Sequence, residues 1–260
     1  MIGALIRKDL HLLRLYLRSL VGALLACFVA AAIAIYFDAR EAGLSFAGFR
    51  IVISAILAGG SILGLIVVSI FSALLSGSVI TLERSDRSSQ FLACLPPKRF
   101  QNYLSKLIVV ASTVLLALGI CLLAWFLAYQ LNRSGETPLG SSELPNQFKY
   151  QTPIPFVASS FLIFANAWSD ATVYTLFALL ASIVGGSLLV SLGSRSNAIP
   201  AFGGILTPIA LWIAIISIRL LLNFTWSPEE AFNLFFRVTA GFGLFCVLAS
   251  GWVYLAQREF

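Results

Sequence analysis

The sequence predicts an all-α integral membrane protein with six transmembrane helices, an N-terminal amphipathic interfacial helix before them, and a short cytoplasmic helix between the second and third. Three observations carry this. Of 260 residues, 59% are hydrophobic and only 11% charged, and mean hydropathy is +0.94; a water-soluble domain carries about 25% charged residues. Six apolar stretches, the first slightly short, meet the ~20 residues that a helix needs to cross about 30 Å of hydrocarbon. The Lys and Arg residues, 17 against 11 acidic, are divided unevenly between alternate connections. The length is expected to suit one polytopic membrane domain, with no soluble enzyme domain beside it among these 260 residues.

Residues 1–19 read as an interfacial helix. Ile2, Leu5, Ile6, Leu12, Leu13, Tyr16 and Leu17 are apolar, whereas Arg7, His11, Arg14 and Arg18 recur at offsets of four, three and four. That spacing stacks the basic residues on one helical face, and Lys8 adds a further charge. A basic amphipathic helix ahead of a span lies along the membrane surface, its cations toward anionic lipid or an acidic partner. A signal peptide has a related layout. Here the region before the apolar run is long and amphipathic and no small-x-small site follows, so the first span is expected to be retained.

The spans are expected at residues 20–37, 51–80, 107–131, 171–192, 199–224 and 235–256, within one six-span domain covering 20–260. The second is long enough to tilt or to extend past the bilayer. A further apolar run, 156–168, is too short to span and suits an interfacial or re-entrant helix. With the N-terminus inside, the inner segments carry Arg7, Lys8, Arg14, Arg18, Arg84, Arg87, Lys98, Arg99, Lys106, Arg195 and Arg258, eleven of the 17 Lys and Arg residues. This bias places both termini and the 81–106 loop in the cytoplasm, and the long 132–170 segment outside.

Several function classes are disfavoured by what the spans lack. None has Asp, Glu, Lys or His at its middle, which weighs against an ion-coupled secondary transporter, because intramembrane ionisable residues mark ion pathways. Arg219 lies close enough to a helix end to snorkel. The single histidine, His11, precedes the first span, so a serine–histidine intramembrane protease is not expected, and no H-E-x-x-H metalloprotease motif occurs. Cys27, Cys94, Cys121 and Cys246 have no metal-ligand spacing; three of them sit in apolar runs, where the reading is of small buried hydrophobes. In the second span Gly60 and Gly64 form a G-x-x-x-G, suited to close helix packing within the chain or to a dimer seam. Pro200 and Pro208 should start and bend the fifth span.

The polar stretch between spans two and three reads LERSDRSSQFLACLPPKRFQNYLSK over 82–106. Ser85 or Asp86 is suited to cap a helix start, and Phe91, Leu92 and Leu95 give it an apolar edge. Pro96 and Pro97 end it, since proline lacks an amide proton and clashes with the preceding turn. Lys98 and Arg99 follow at once. A short capped helix beneath the membrane, presenting aromatic and aliphatic side chains, reads as a docking element, with a solvated loop that carries positive-inside charge as the alternative.

The order Glu83, Ser88-Ser89, Phe91-Leu92, Leu95-Pro96, Lys98-Arg99 resembles the loop between the second and third spans of ABC-2 type permeases, with Ser88-Ser89 at the place of the usual Gly-Thr. Ile6-Arg7-Lys8-Asp9-Leu10 resembles the interfacial helix that opens many of these chains. The resemblance covers the whole chain in topology and about forty residues in motif. It implies that 81–106 holds a coupling helix seated in a cleft of a separate ABC ATPase subunit. Phe91, Leu92 and Leu95 would anchor it and Pro96 would end it; Glu83, Arg84, Arg87, Lys98 and Arg99 would form its polar rim. ATP and magnesium would be bound by the partner, since this chain has no G-x-x-x-x-G-K-[ST] loop and no cofactor of its own.

The same resemblance implies an export complex of two permease copies, identical or related, with two ATPases in a prokaryotic cytoplasmic membrane. The apolar span faces favour an amphiphilic or hydrophobic cargo, such as a peptide, a lipid or a drug-like molecule. From its composition, segment 132–170 reads as an extracytoplasmic cap, a docking site for a periplasmic or membrane partner, or a loosely ordered loop; lipids surround the spans, and no nucleic acid is involved. The alternatives are a non-transporting assembly or immunity factor that docks an ATPase, and an ion-coupled secondary transporter.

Overall fold

Long apolar runs with few helix breakers fold as helices throughout the computed structural model, which describes residues 2–41, 49–85, 99–133, 170–194, 196, 198–221 and 228–256. They form α1 (Ile2–Leu12), α2 (Arg14–Glu41), α3 (Phe49–Ser85), α4 (Arg99–Arg133), α5 (Asp170–Ser191), α6 (Ala198–Leu221) and α7 (Pro228–Ala256). No strand occurs among the described residues. Helices α2 to α7 are each long and apolar enough to cross a membrane, with spans at Arg14–Phe37, Val52–Thr81, Phe100–Leu131, Thr172–Ser191, Ala198–Ser217 and Asn233–Ala256. The protein is an all-α, multi-pass membrane protein.

The first helix ends earlier than the sequence suggests. Leu13 interrupts it, so Arg14 and Arg18 stand on α2, which continues without a break into the first span. The hydrogen-bond ladder nevertheless runs through: the Leu13 amide donates to the Asp9 carbonyl and the Leu17 amide to that of Leu13, both at 3.0 Å. Side-chain register is therefore kept from α1 to α2. At the other tight junction, the amides of Leu192 and Gly193 bond to the carbonyls of Leu189 and Val190 at 3.3 and 3.2 Å, tightening the last turn of α5 into a 3₁₀ pattern. Ser196 Oγ then accepts the Ala198 amide at 3.2 Å, satisfying one of the orphan donors at the start of α6. Pro200 sits in the first turn of that helix and Pro208 in its interior.

The described residues group into two compact units. One takes Ser19–Val67 and Leu116–Thr172, the other Met1–Arg18, Val68–Leu115 and Val173–Phe260. In the first, Ile35 packs on Ala55 and Ala58 on Ala128, while Ser54 Oγ donates to the Ala128 carbonyl at 2.9 Å. Gly60 and Gly64 are buried here, within the same chain. The Phe28 ring occupies the place a Cβ on Gly60 would take, and a Cβ on Gly64 would lie 2.8 Å from Cys121 Sγ. The G-x-x-x-G thus lets α2 and α4 approach α3.

The second unit is built on small residues. A Cβ on Gly185 would lie 2.5 Å from the Gly243 carbonyl oxygen, and one on Gly243 would lie 2.7 Å from backbone atoms of Ala181 and Ser182. Helices α5 and α7 therefore meet backbone to backbone. Ser187 Oγ donates to the Ala73 carbonyl at 2.7 Å, joining α5 to α3. Ile80, Leu188 and Leu192 form the core beside them, with Leu107, Val247 and Tyr254 packed around. In a bilayer, where burying apolar surface against lipid gains little, such close packing and interhelical hydrogen bonds supply the association energy.

Candidate functional site at the base of the α3–α4 connection

Helices α3 and α4 have 37 and 35 residues. At 1.5 Å per residue these are roughly 55 and 52 Å long, against about 40–45 Å for a bilayer including its headgroups. They flank segment 86–98. The first two turns of α4, from Arg99 to Lys106, come before its apolar run, and sequence alone assigns them to a loop. They are helical because their polar side chains find partners inside the second unit.

Asn102 Nδ2 donates to Tyr254 Oη at 3.0 Å. Tyr103 Oη donates to the Val247 carbonyl at 2.9 Å and lies 2.8 Å from Ser250 Oγ. These contacts tie α4 to α7. The Tyr103 ring also rests on Gly251, where a Cβ would come within 3.0 Å of it. One turn further on, Ser105 Oγ lies 2.9 Å from Asp9 Oδ2 and 2.8 Å from the Asn102 carbonyl. Lys106 Nζ donates to the Val79 carbonyl at 3.3 Å and faces Asp9 Oδ1 at 3.9 Å. One buried charge pair thereby joins α1, α3 and α4.

Asp9 is 4% exposed and Lys106 3%. At 3.9 Å the contact is Coulombic rather than a short charge-assisted hydrogen bond, which would measure about 2.7–2.9 Å. Its attraction, on the order of 4 kcal/mol at an effective dielectric of 20, is offset by several kcal/mol for removing each ion from water. The pair adds little net stability. What it favours is one register, because burying either charge costs less when the two face one another. Val79 is less than two turns from the end of α3 and Lys106 about two turns from the start of α4, so the clamp holds both legs of the connection near their tips.

Asp9 was hidden in the sequence among Arg7 and Lys8. The signal that reveals it is register. Leu5, Asp9 and Leu13 follow at offsets of four, and all are buried, so the acid sits in the middle of the apolar stripe. Of the predicted membrane-surface residues, Arg7, His11, Arg14 and Arg18 are exposed and Lys8 is half-buried. Of the predicted docking residues, Glu83 and Arg84 lie in the last turn of α3 and Arg99 opens α4, their side chains outside the description. Arg87, Phe91, Leu92, Leu95, Pro96 and Lys98 fall outside the described residues, as do 134–169, including the short apolar run 156–168. Ser85 is the last residue of α3. Cys27, Cys121 and Cys246 are free and buried, and no group of His, Cys, Asp and Glu suited to a metal occurs among the described residues.

These features define a polytopic helical membrane protein in which the first turns of α4 are tied to the N-terminal helix, to α3 and to α7. No protein-family model matches the chain, and no curated protein or solved structure does so either.

Proposed function

We propose that this chain is the membrane-embedded permease subunit of an ATP-driven exporter of the ABC-2 type. On this reading segment 86–98 is a handle gripped by a separate ATPase subunit, and both chain termini face the cytoplasm. Two permeases and two ATPases would form the working complex, with ATP and magnesium on the ATPases and an amphiphilic or hydrophobic cargo moved outward. The observation that supports this best is the pairing of two over-long helices around a short connection, with the bases of both tied into one polar cluster. A force applied to that connection reaches α1, α3, α4 and α7 together, as a coupling element requires. The sequence of the segment supplies the rest: an apolar edge at Phe91, Leu92 and Leu95, a proline stop and a basic rim.

The test is affinity purification from native membranes followed by photolabelling with an azido-ATP analogue. A separate labelled subunit should accompany the wild-type chain and be lost from a Phe91→Asp, Leu92→Asp variant that still inserts and folds. Undiminished labelling of the variant's partner overturns the docking assignment. In vesicles rebuilt from the purified complex, ATP-dependent cargo movement is the expected result. Hydrolysis that responds to the permease without any flux would instead identify a non-transporting regulator.

A further inference from the structure

The face of the N-terminal helix opposite Asp9 carries a second feature that ATPase docking does not use. Because Asp9 turns inward, the exposed face holds Arg7, His11, Arg14 and Arg18 with no acid among them, and the next acidic residue in the chain is Asp38. The ladder through Leu13 keeps these four side chains in one stripe across the α1–α2 junction. Leu10 and Leu15 flank the stripe on either side and are 39% and 77% exposed. Along α2 the same face then continues through Leu25, Val29 and Ile33, all exposed, in the part of the helix that crosses the membrane. Cations that run in register into a membrane-facing apolar stripe, with leucines beside them, match a surface of phosphates over acyl chains. An acidic protein would complement the arginines and leave the flanking leucines without a partner.

We propose that Arg7, Arg14 and Arg18, with His11, form a binding face for anionic phospholipid headgroups, selecting them over zwitterionic ones. This assignment stands independently of the transport function. The test places the full-length protein in phosphatidylcholine nanodiscs with trace photoactivatable phosphatidylglycerol or, separately, photoactivatable phosphatidylcholine, and maps crosslinks to residues 1–18. Each surface cation is worth roughly a fivefold enrichment at low salt. The phosphatidylglycerol yield should therefore exceed the phosphatidylcholine yield by about tenfold or more, fall severalfold per charge in the Arg14→Gln, Arg18→Gln variant, and decline in high salt. An Arg14→Lys, Arg18→Lys variant should keep the preference. Equal yields for the two lipids in the wild type, no loss in the Gln variant, or an equal loss from Arg237→Gln on α7 would each overturn the proposal.

Discussion

Asp9 and Lys106 face one another at 3.9 Å with side chains 5% and 3% exposed, and the two are brought together from separate helices far apart in the chain. Removing one partner leaves the other charge buried without its counter-ion. Lys106→Met and Asp9→Leu should each destabilise the protein by about 3–5 kcal/mol, whereas the double variant should recover most of that loss. Unfolding in denaturing detergent, read by circular dichroism, gives the cycle. Losses that simply add would show that the two charges do not support one another. Asp9→Asn, which keeps an acceptor for Ser105, should cost less than Asp9→Leu.

The glycines separate into two populations with opposite expected outcomes. At Gly243 a Cβ would lie 2.7 Å from backbone atoms of Ala181 and Ser182, and helix backbone has no rotamer by which to yield. Gly243→Ala should cost roughly 1–3 kcal/mol, as overpacking does. At Gly119 and Gly241 nothing lies within 4 Å of the added carbon, so alanine there should be neutral, or stabilising by up to ~1 kcal/mol through helix propensity. The same unfolding assay distinguishes them, and a neutral Gly243→Ala would mean that α5 and α7 are not in backbone contact.

Tyr103→Phe deletes a hydroxyl that meets the Val247 carbonyl and Ser250 Oγ while leaving the ring on Gly251. The Ser250 hydroxyl keeps its own bond to Val247, so no buried donor is orphaned, and the expected loss is about 1 kcal/mol. Tyr103→Ala also removes the packing and should cost on the order of 3–5 kcal/mol. A Phe variant as damaged as the Ala variant would show that the hydroxyl, rather than the ring, holds α4 to α7.

The helices were legible in the sequence because span length and apolar composition are properties of a segment by itself. The span at residues 51–80 was found at Val52–Thr81, and that at 235–256 at Asn233–Ala256. Where sequence and structure part, a partner across the bundle is the reason. The third span opens at Phe100 rather than at Leu107, since Asn102, Tyr103, Ser105 and Lys106 are satisfied by Tyr254, Ser250, Asp9 and Val79. Local hydropathy counts those residues as loop. The inward turn of Asp9 follows the same logic: a charge looks surface-bound until its counter-ion is located.

Cys94 offers a check on orientation that needs no engineered residue. Cys27, Cys121 and Cys246 are 9%, 0% and 0% exposed and sit within spans, where a charged maleimide has no access. Cys94 lies in the segment joining α3 to α4, which the proposed function requires to be cytoplasmic. A membrane-impermeant maleimide should therefore label the native protein in inside-out vesicles, at one site, and leave it unlabelled in intact cells; Cys94→Ser should abolish the signal. Labelling from the outside of intact cells would put the α3–α4 connection on the wrong face for any cytoplasmic ATPase. The Asp9–Lys106 clamp would stand unchanged, but it would then brace a segment with no motor to meet.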